Sequence, residues 1–192
     1  EEFISFIRET HATICNDIAT ELKNFNAKET MQKLDGVLKE FERLLQAVSA
    51  FGECPPSVYC RIMGMGELMS APIMESILSA KGYKVALIDS RNMIITTGNQ
   101  GEGDPDYHLT DEAFKPYRKG EVAGDAQILL FPGFICGWKA NAESEPVMGL
   151  LGRNGSDFSA AMVWASLRSS RVEFWTDVDG IYTADPRIIH AA

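Results

Sequence analysis

Residues 150–162 read LLGRNGSDFSAAM, two apolar segments separated by a turn with two glycines, an arginine and an acid. An apolar run ends at Gly152, and the residues that follow Asp157 are again apolar, now with helical spacing. The stretch therefore predicts a strand over 146–152, a tight turn, and a helix over 157–168. A helix that directly follows a buried strand is typical of α/β proteins.

The same turn carries residue types that suit an anionic ligand. Gly152 and Gly155 let the backbone approach a ligand closely, and Ser156 or Asp157 is predicted to cap the helix. Free N–H groups at a helix start attract anions, and Arg153 adds a planar fork for a carboxylate or phosphate. Asp157 competes with such an anion unless it binds a cation or an amine. A capped turn without a ligand fits these residues equally well.

The other elements are predicted from hydrophobic periodicity. Apolar residues three and four apart predict helices over 3–25 and 28–50, which form a helical hairpin packed on its own domain. Further helices are predicted over 67–81 and 108–119, and a polar loop over 99–106. The predicted strands cover 83–89, 92–98, 126–138 with a break at Pro132-Gly133, 146–152, and 171–178.

Strands that alternate with helices imply a mainly parallel sheet covered on both faces. Ligands of such sheets bind beyond the carboxyl ends of the strands. We therefore expect three turns to lie together, at 132–134, at 152–157 and after residue 175.

Three more motifs have functional residue types at element ends. Gly133 at a strand kink would present a backbone N–H to a phosphate, unless the glycine only permits close packing. Glu67 at a helix start would bind a substrate amine, unless it only interacts with the helix dipole. In WTDVDGIYTADPR (175–187), a hydroxyl, an acid, an aromatic ring and an arginine fit a nucleotide, although an Asp-Gly hairpin has the same spacing. These four residues are Thr176, Asp177, Tyr182 and Arg187.

Composition argues against several classes of protein. The formal net charge of −9 without a basic block argues against a nucleic-acid or membrane surface. Four cysteines without a C-x-x-C pair and three histidines argue against a zinc site or a disulfide framework, and favour a reduced, cytoplasmic protein. No stretch has the length of a membrane span, and no signal peptide is visible. Met69 stands where a dinucleotide-binding fingerprint needs its third glycine, which argues against an oxidoreductase.

Four motifs, in chain order, resemble the catalytic domain of aspartate kinases, which are members of the amino acid kinase family. They are GMGELMSAPIM, FPGFICG, LLGRNGSDFSAA and VEFWTDVDGIYTADPR. The resemblance covers about residues 50–190, and the helical hairpin before it also fits. The variants GRNGSD and WTDVDG are most similar to the kinase half of bifunctional aspartokinase/homoserine dehydrogenases.

The resemblance implies a three-layer α/β/α sandwich of the amino acid kinase (carbamate kinase-like) type. It implies ATP with Mg²⁺ and L-aspartate as substrates, and 4-phospho-L-aspartate as the product that opens lysine, threonine and methionine biosynthesis. The parent enzyme would be a homo-oligomer without a nucleic-acid or membrane partner. The nucleophile would be a carboxylate that is already ionised at neutral pH, so the reaction needs no general base.

The resemblance also implies a role for each candidate residue. Glu67 would bind the aspartate ammonium group, and Arg153 its α-carboxylate. Ser156 and Asp157 would line the junction of aspartate and the phosphates, and Gly133 would lie under the phosphate path. ATP would be held by Thr176, Asp177, Tyr182 and Arg187. No residue of the chain is assigned as a metal ligand.

The sequence departs from the family at both ends. The family's Lys-Phe-Gly-Gly strand and a later nucleotide-contacting lysine are not found in it. We therefore expect a helical hairpin over 1–50 and a partial, truncated amino acid kinase domain over 51–192 that alone has little or no kinase activity. The alternatives are a kinase for glutamate, acetylglutamate or UMP, and a non-catalytic nucleotide-binding module.

Overall fold

The computed structural model describes residues 2–175 and Ile188. The helices are α1 (Glu2–Glu21), α2 (Ala27–Phe51), α3 (Pro56–Met63), α4 (Met65–Ala80), α5 (Tyr107–Arg118) and α6 (Gly155–Leu167), with a 3-10 turn at Ser90–Asn92. The strands are β1 (Val85–Leu87), β2 (Ile95–Asn99), β3 (Glu102–Pro105), β4 (Ile128–Leu130), β5 (Ile135–Trp138) and β6 (Val147–Leu150). No helix within this part of the chain is both long and apolar enough to cross a bilayer.

The predicted helical hairpin is present as α1 and α2. The Asn26 side chain accepts a hydrogen bond from the Glu29 N–H at 3.1 Å, which caps the start of α2. The apolar stripe of α2 packs against α1 and α4 in one core that includes Leu34, Leu38 and Met69. The hairpin and α4 therefore share a single core.

Two elements were not predicted. Helix α3 begins at Pro56, a first helical position where the missing N–H of proline costs nothing. The predicted polar loop over 99–106 is wrong, because residues 102–105 form β3, which pairs antiparallel with β2. Its residues, Glu-Gly-Asp-Pro, show no hydrophobic alternation because β3 is an edge strand bonded to β2 alone within the sheet.

The strands form two sheets, and the expected mainly parallel arrangement is wrong for the described strands. β1 and β4 form a parallel pair, and the four-stranded sheet has the order β3-β2-β5-β6. In the larger sheet, β2 and β5 are parallel, whereas β2–β3 and β5–β6 are antiparallel. Hydrophobic periodicity does not reveal strand direction, and the short connections between these neighbours require antiparallel pairing. The predicted break at Pro132-Gly133 is confirmed, since β4 and β5 lie in different sheets.

Helices cover both faces of the four-stranded sheet, as predicted. Ile135 of β5 packs with Cys60 of α3, and the next residue, Cys136, packs with Phe114 of α5 and Met162 of α6. Successive residues of a strand point to opposite faces, so α3 lies on one side and α5 with α6 on the other. The strand predicted from residue 171 is wrong over 171–175, which have no strand partner within the described residues, and 176–178 lie outside them.

Arg118 joins α5 to the end of α6. Its guanidinium donates to both carboxylate oxygens of Asp111, at 2.6 and 2.9 Å, and to the Ser166 carbonyl at 2.6 Å. Only 14% of the Arg118 side chain is exposed. The carbonyls at the end of a helix lack partners within the helix, and a cation there is favourable. Arg118 therefore ties α5 to α6, the helix that begins at the turn over 152–157.

Arg118→Met is expected to lower the Tm by about 3–6 °C, because it removes the charge-assisted bonds but keeps the apolar stem. Thermal unfolding followed by circular dichroism measures this change. Lys115→Met is the matched control, since Lys115 lies on the same helix in an exposed pair with Glu112, and it should shift the Tm by less than about 1 °C. Equal shifts in the two variants would show that Arg118 does not join the helices.

Candidate active site

Helix α6 begins two residues earlier than predicted. Gly152 and Asn154 both have positive φ angles, 74° and 58°, and Asn154 is the residue before the first helical turn. Asparagine tolerates this left-handed conformation better than most residues, so the chain enters the helix at Gly155. The prediction that Ser156 or Asp157 caps α6 is wrong, because both lie inside its first turn and no side chain caps the helix.

The start of α6 has free backbone donors. The Gly155 N–H bonds to the Gly152 carbonyl at 3.1 Å, whereas the N–H groups of Ser156 and Asp157 have no acceptor within residues 2–175. The first N–H groups of a helix have no partner inside it, and they carry part of the positive end of its dipole. The arrangement favours a negatively charged group at this end.

The turn at 132–134 lies directly against the start of α6. A side-chain carbon added at Gly133 would lie 3.0 Å from Ser156 Oγ and 3.1 Å from Ser156 Cα, which is closer than side chains normally pack. The Phe134 N–H donates to Ser159 Oγ at 3.0 Å, and Ser159 Oγ donates to the Gly155 carbonyl at 2.8 Å. The expectation that the turns at 132–134 and 152–157 lie together is confirmed, and the third turn, after residue 175, lies outside the described residues.

Glu67 lies in the first turn of α4 and faces the same cleft. The cleft has a volume of about 590 Å³, and Glu67, Gly133 and Ser156 all line it. Burial raises the pKa of the Glu67 carboxyl above its ordinary value, because partial removal from water disfavours the charged form. A bound ammonium group would offset this cost.

A stripe along α6 forms one wall of the cleft. Its residues recur at helical spacing and are Ser156, Ser159, Ala160, Val163 and Trp164. Residues 129–131 at the end of β4 and residues 171–173 also line the cleft. The cleft is therefore lined by apolar side chains of α6 and β4 together with the polar residues Glu67, Ser156 and Ser159.

Arg153 and Asp157 do not line the cleft. Both are exposed, on the turn and the first helical turn that adjoin it. Arg153 forms no ion pair with a carboxylate of residues 2–175, so its guanidinium is available to a ligand. The predicted nucleotide residues Thr176, Asp177, Tyr182 and Arg187 lie outside the described residues.

Sequence reasoning missed the residues that hold this site together. Phe134 has a positive φ of 67°, and Ser159 bonds to it across 25 residues of sequence. Ser159 lies one helical turn after Ser156, a spacing that the sequence does show and that could have placed both on one face. The conformation of Phe134 has no signal in its residue type, because bulky residues rarely adopt positive φ.

A model of the amino acid kinase family matches residues 8–192. The chain belongs to the amino acid kinase family. The family fold that the motifs implied, with its helices on both faces of the sheet, is confirmed. The matched region includes the residues of the cleft, the Gly133 turn and the start of α6.

Curated relatives in this family are aspartokinases. A bifunctional aspartokinase/homoserine dehydrogenase of Haemophilus influenzae is 34% identical over 181 residues, which are 94% of this chain and 21% of the relative. The bifunctional enzyme of Buchnera aphidicola is 33% identical over 91% of this chain and 20% of its own length. Lysine-sensitive aspartokinase 3 of Escherichia coli is 30% identical over 88% of this chain and 37% of the relative.

A solved amino acid kinase has the same fold. The crystal structure of E. coli aspartokinase III in complex with aspartate and ADP, in its R-state, matches with a TM-score of 0.75 and 27% identity. The match covers 95% of this chain and 39% of that protein. The chain thus spans about a fifth of the length of the bifunctional relatives and well under half of aspartokinase III.

Proposed function

We propose that this chain is part of the catalytic domain of an aspartate kinase. The enzyme transfers the γ-phosphoryl group of ATP to the β-carboxylate of L-aspartate and releases 4-phospho-L-aspartate. The observation that carries the proposal is one cleft lined by Glu67, Gly133 and Ser156, with the free N–H groups of Ser156 and Asp157 at the adjoining start of α6. An acid for an amine and a positive helix end for an anion suit an amino acid and a phosphate together.

Aspartate would lie between Glu67 and Arg153. The half-buried Glu67 carboxylate binds its ammonium group, and the exposed Arg153 guanidinium binds its α-carboxylate as a bidentate fork. An amino acid held at both of these groups has only its side-chain carboxylate free to react. The β-carboxylate then faces Ser156 and Asp157 at the start of α6. This pairing favours a free amino acid over UMP or acetylglutamate, which lack a free ammonium group.

Catalysis would consist of alignment and charge neutralisation. The β-carboxylate is ionised at neutral pH, so it attacks the γ-phosphorus without a general base. The close contact of Gly133 with Ser156 leaves room only for backbone at the path of the phosphoryl group, whose developing charge the α6 N–H groups stabilise. Thr176, Asp177, Tyr182 and Arg187 bind ATP.

Mg²⁺ enters with ATP as part of the substrate. Residues 2–175 contain no group of three or more acidic, histidine or cysteine side chains that could hold a metal ion alone. Mg²⁺ in nucleotide sites takes one or two carboxylates and completes its shell with phosphates and water, so it needs no such group. Asp157, exposed at the start of α6, is the residue available for that contact or for a water of the ion.

The parent enzyme is a cytoplasmic homo-oligomer of the bifunctional aspartokinase/homoserine dehydrogenase type. Support for this assignment comes from bifunctional enzymes of bacteria and plants, which match at 28–34% identity over most of this chain. The four cysteines form no disulfide in the structure, and three of them are buried, as in proteins of a reducing compartment.

Hydroxylamine trapping tests the proposed reaction. The protein expressed from the complete reading frame that encodes this chain is incubated with ATP–Mg²⁺ and with aspartate, glutamate or acetylglutamate. Hydroxylamine then captures any acyl phosphate as a hydroxamate. We expect hydroxamate with aspartate alone. The chain of 192 residues is assayed beside it, and we expect little or no hydroxamate from this chain alone.

Other outcomes would change the assignment. Hydroxamate with glutamate or acetylglutamate but not with aspartate would replace aspartate as the substrate. No hydroxamate with any substrate, in a folded protein that still binds ATP, would favour a non-catalytic nucleotide-binding module. Full turnover by the 192-residue chain would contradict the expectation that it is inactive by itself.

A further inference from the structure

The tip of the β2–β3 hairpin, residues 99–102, is fastened to the strand that leads into the Arg153 turn. The Gln100 side-chain amide donates to the Met148 carbonyl at 2.8 Å, and the Gln100 carbonyl accepts from the Leu150 N–H at 2.9 Å. Both partners belong to β6, which ends at Leu150. Gln100 alone thus bonds to Met148 and to Leu150, which lie in the last three residues of β6 before the turn.

The tip itself is held in shape by polar contacts. The Asn99 side-chain oxygen accepts from the Gly101 N–H at 2.9 Å, which closes a local turn. The Trp138 indole N–H donates to the Gly98 carbonyl at 2.9 Å and ties the end of β5 to the start of the tip. The bonds from Gln100 therefore come from a fixed support.

Glu102 packs directly against Gly152. A side-chain carbon at Gly152 would lie 2.7 Å from Glu102 Cγ and 3.3 Å from Glu102 Cβ and Cδ. Gly152 also has a positive φ of 74°, which only glycine adopts easily. The Glu102 stem thus fills the space beside the residue that immediately precedes Arg153.

We propose that Gln100 and Glu102 are positioning residues for Arg153. Gln100 fixes the end of β6, Glu102 restricts Gly152, and the two together hold the turn that presents the guanidinium. The idea rests on the proposed function for what Arg153 binds, the α-carboxylate of aspartate. A binding group must be held within a fraction of an ångström to retain its effect, and such support from neighbouring side chains is what fixes it.

Four variants of the full-length enzyme test this role. Gln100→Met keeps the side-chain length and removes its hydrogen bond, and Glu102→Ala removes the packing on Gly152. Glu102→Gln keeps that packing without the charge. Glu143→Ala is the matched control, because Glu143 is exposed in the turn between β5 and β6 and its side chain makes no ion pair within the described residues.

Two readouts separate positioning from general stability. We expect Gln100→Met, which loses one hydrogen bond, and Glu102→Ala, which loses its contact with Gly152, to raise the aspartate KM about five- to tenfold, with the ATP KM within about twofold. Limited digestion with trypsin should cut after Arg153 about fivefold faster in both variants, as mass spectrometry detects, because the turn opens more often. Glu102→Gln and Glu143→Ala should match the wild type in both.

An unchanged aspartate KM in Gln100→Met and Glu102→Ala overturns the proposal, whatever the rate of cleavage. A loss in Glu102→Gln as large as in Glu102→Ala also overturns it, because packing on Gly152 would not be the cause. If the wild-type protein makes no hydroxamate from aspartate, the proposed function fails separately. The cleavage rate after Arg153 then decides by itself whether the tip holds the turn.

Discussion

Arg153→Ala is expected to raise the aspartate KM of the full-length enzyme about 10- to 100-fold, and to leave the ATP KM within about twofold. Charge-assisted hydrogen bonds contribute about 1.5–3 kcal/mol each, and 1.4 kcal/mol is a factor of ten in affinity. Arg153 is exposed and has no ion pair within residues 2–175, so its loss should hardly alter the folded state. Steady-state kinetics with each substrate varied in turn measures the effect.

Arg43→Ala provides the matched control for this variant. Arg43 is an exposed arginine of α2 and does not line the cleft, so its removal should leave both KM values near those of the wild type. If Arg153→Ala kept the wild-type aspartate KM, the carboxylate-binding role of Arg153 would be wrong. A rise in the ATP KM alone would assign Arg153 to the phosphates instead.

Glu67→Gln is expected to raise the aspartate KM about tenfold or more, with little change in the ATP KM. The amide keeps the size of the carboxylate but loses the charge that attracts an ammonium group, and a half-buried ion pair is screened less than an exposed one. Glu75→Gln is the control on the same helix, because Glu75 pairs with Lys33 and does not line the cleft. A loss confined to ATP would mean that the orientation of the two substrates is reversed.

The pH dependence of the aspartate KM gives a second test of Glu67. Burial raises the pKa of this carboxyl, so it takes up a proton at a higher pH than an exposed glutamate. Affinity that depends on the ionised form is present above that raised pKa and is lost as the pH falls through it. The wild-type aspartate KM should therefore rise as the pH is lowered, whereas the Glu67→Gln profile should be flatter over the same range. If the aspartate KM of the wild type and of Glu67→Gln changed with pH in parallel, Glu67 would not be the residue that binds the ammonium group.

Much of the fold could be predicted because apolar residues that recur three and four positions apart indicate a buried helix face. The stripe of α2, with Leu34, Leu38 and Phe41 buried, follows this pattern. Helix α3 was missed since its eight residues are too few for a clear period, and β3 was missed because an edge strand of Glu, Gly, Asp and Pro lacks apolar alternation. Strand direction was misjudged because it depends on the connections and on pairing partners, which periodicity does not contain.

The candidate site could be predicted in its parts but not in its construction. Gly133, Ser156 and Glu67 stood out because glycines, hydroxyls and acids at element ends are typical of ligand sites, and all three line one cleft. The contacts that join them could not be predicted, since Ser159 with Phe134 and Gln100 with Met148 are far apart in sequence. The role of Asn154 depended on a backbone angle that several residue types can adopt.

The core that α1 and α2 share with α4 has a consequence for the boundary of the folding unit. The side of α4 that the hairpin covers carries Met65, Met69 and Ile73, all buried in that common core. A chain shortened to residues 51–192 would present this side to water, on the very helix whose first turn holds Glu67. We infer that the first fifty residues melt together with the rest in one cooperative transition. Their removal would therefore uncover one side of the helix that carries Glu67.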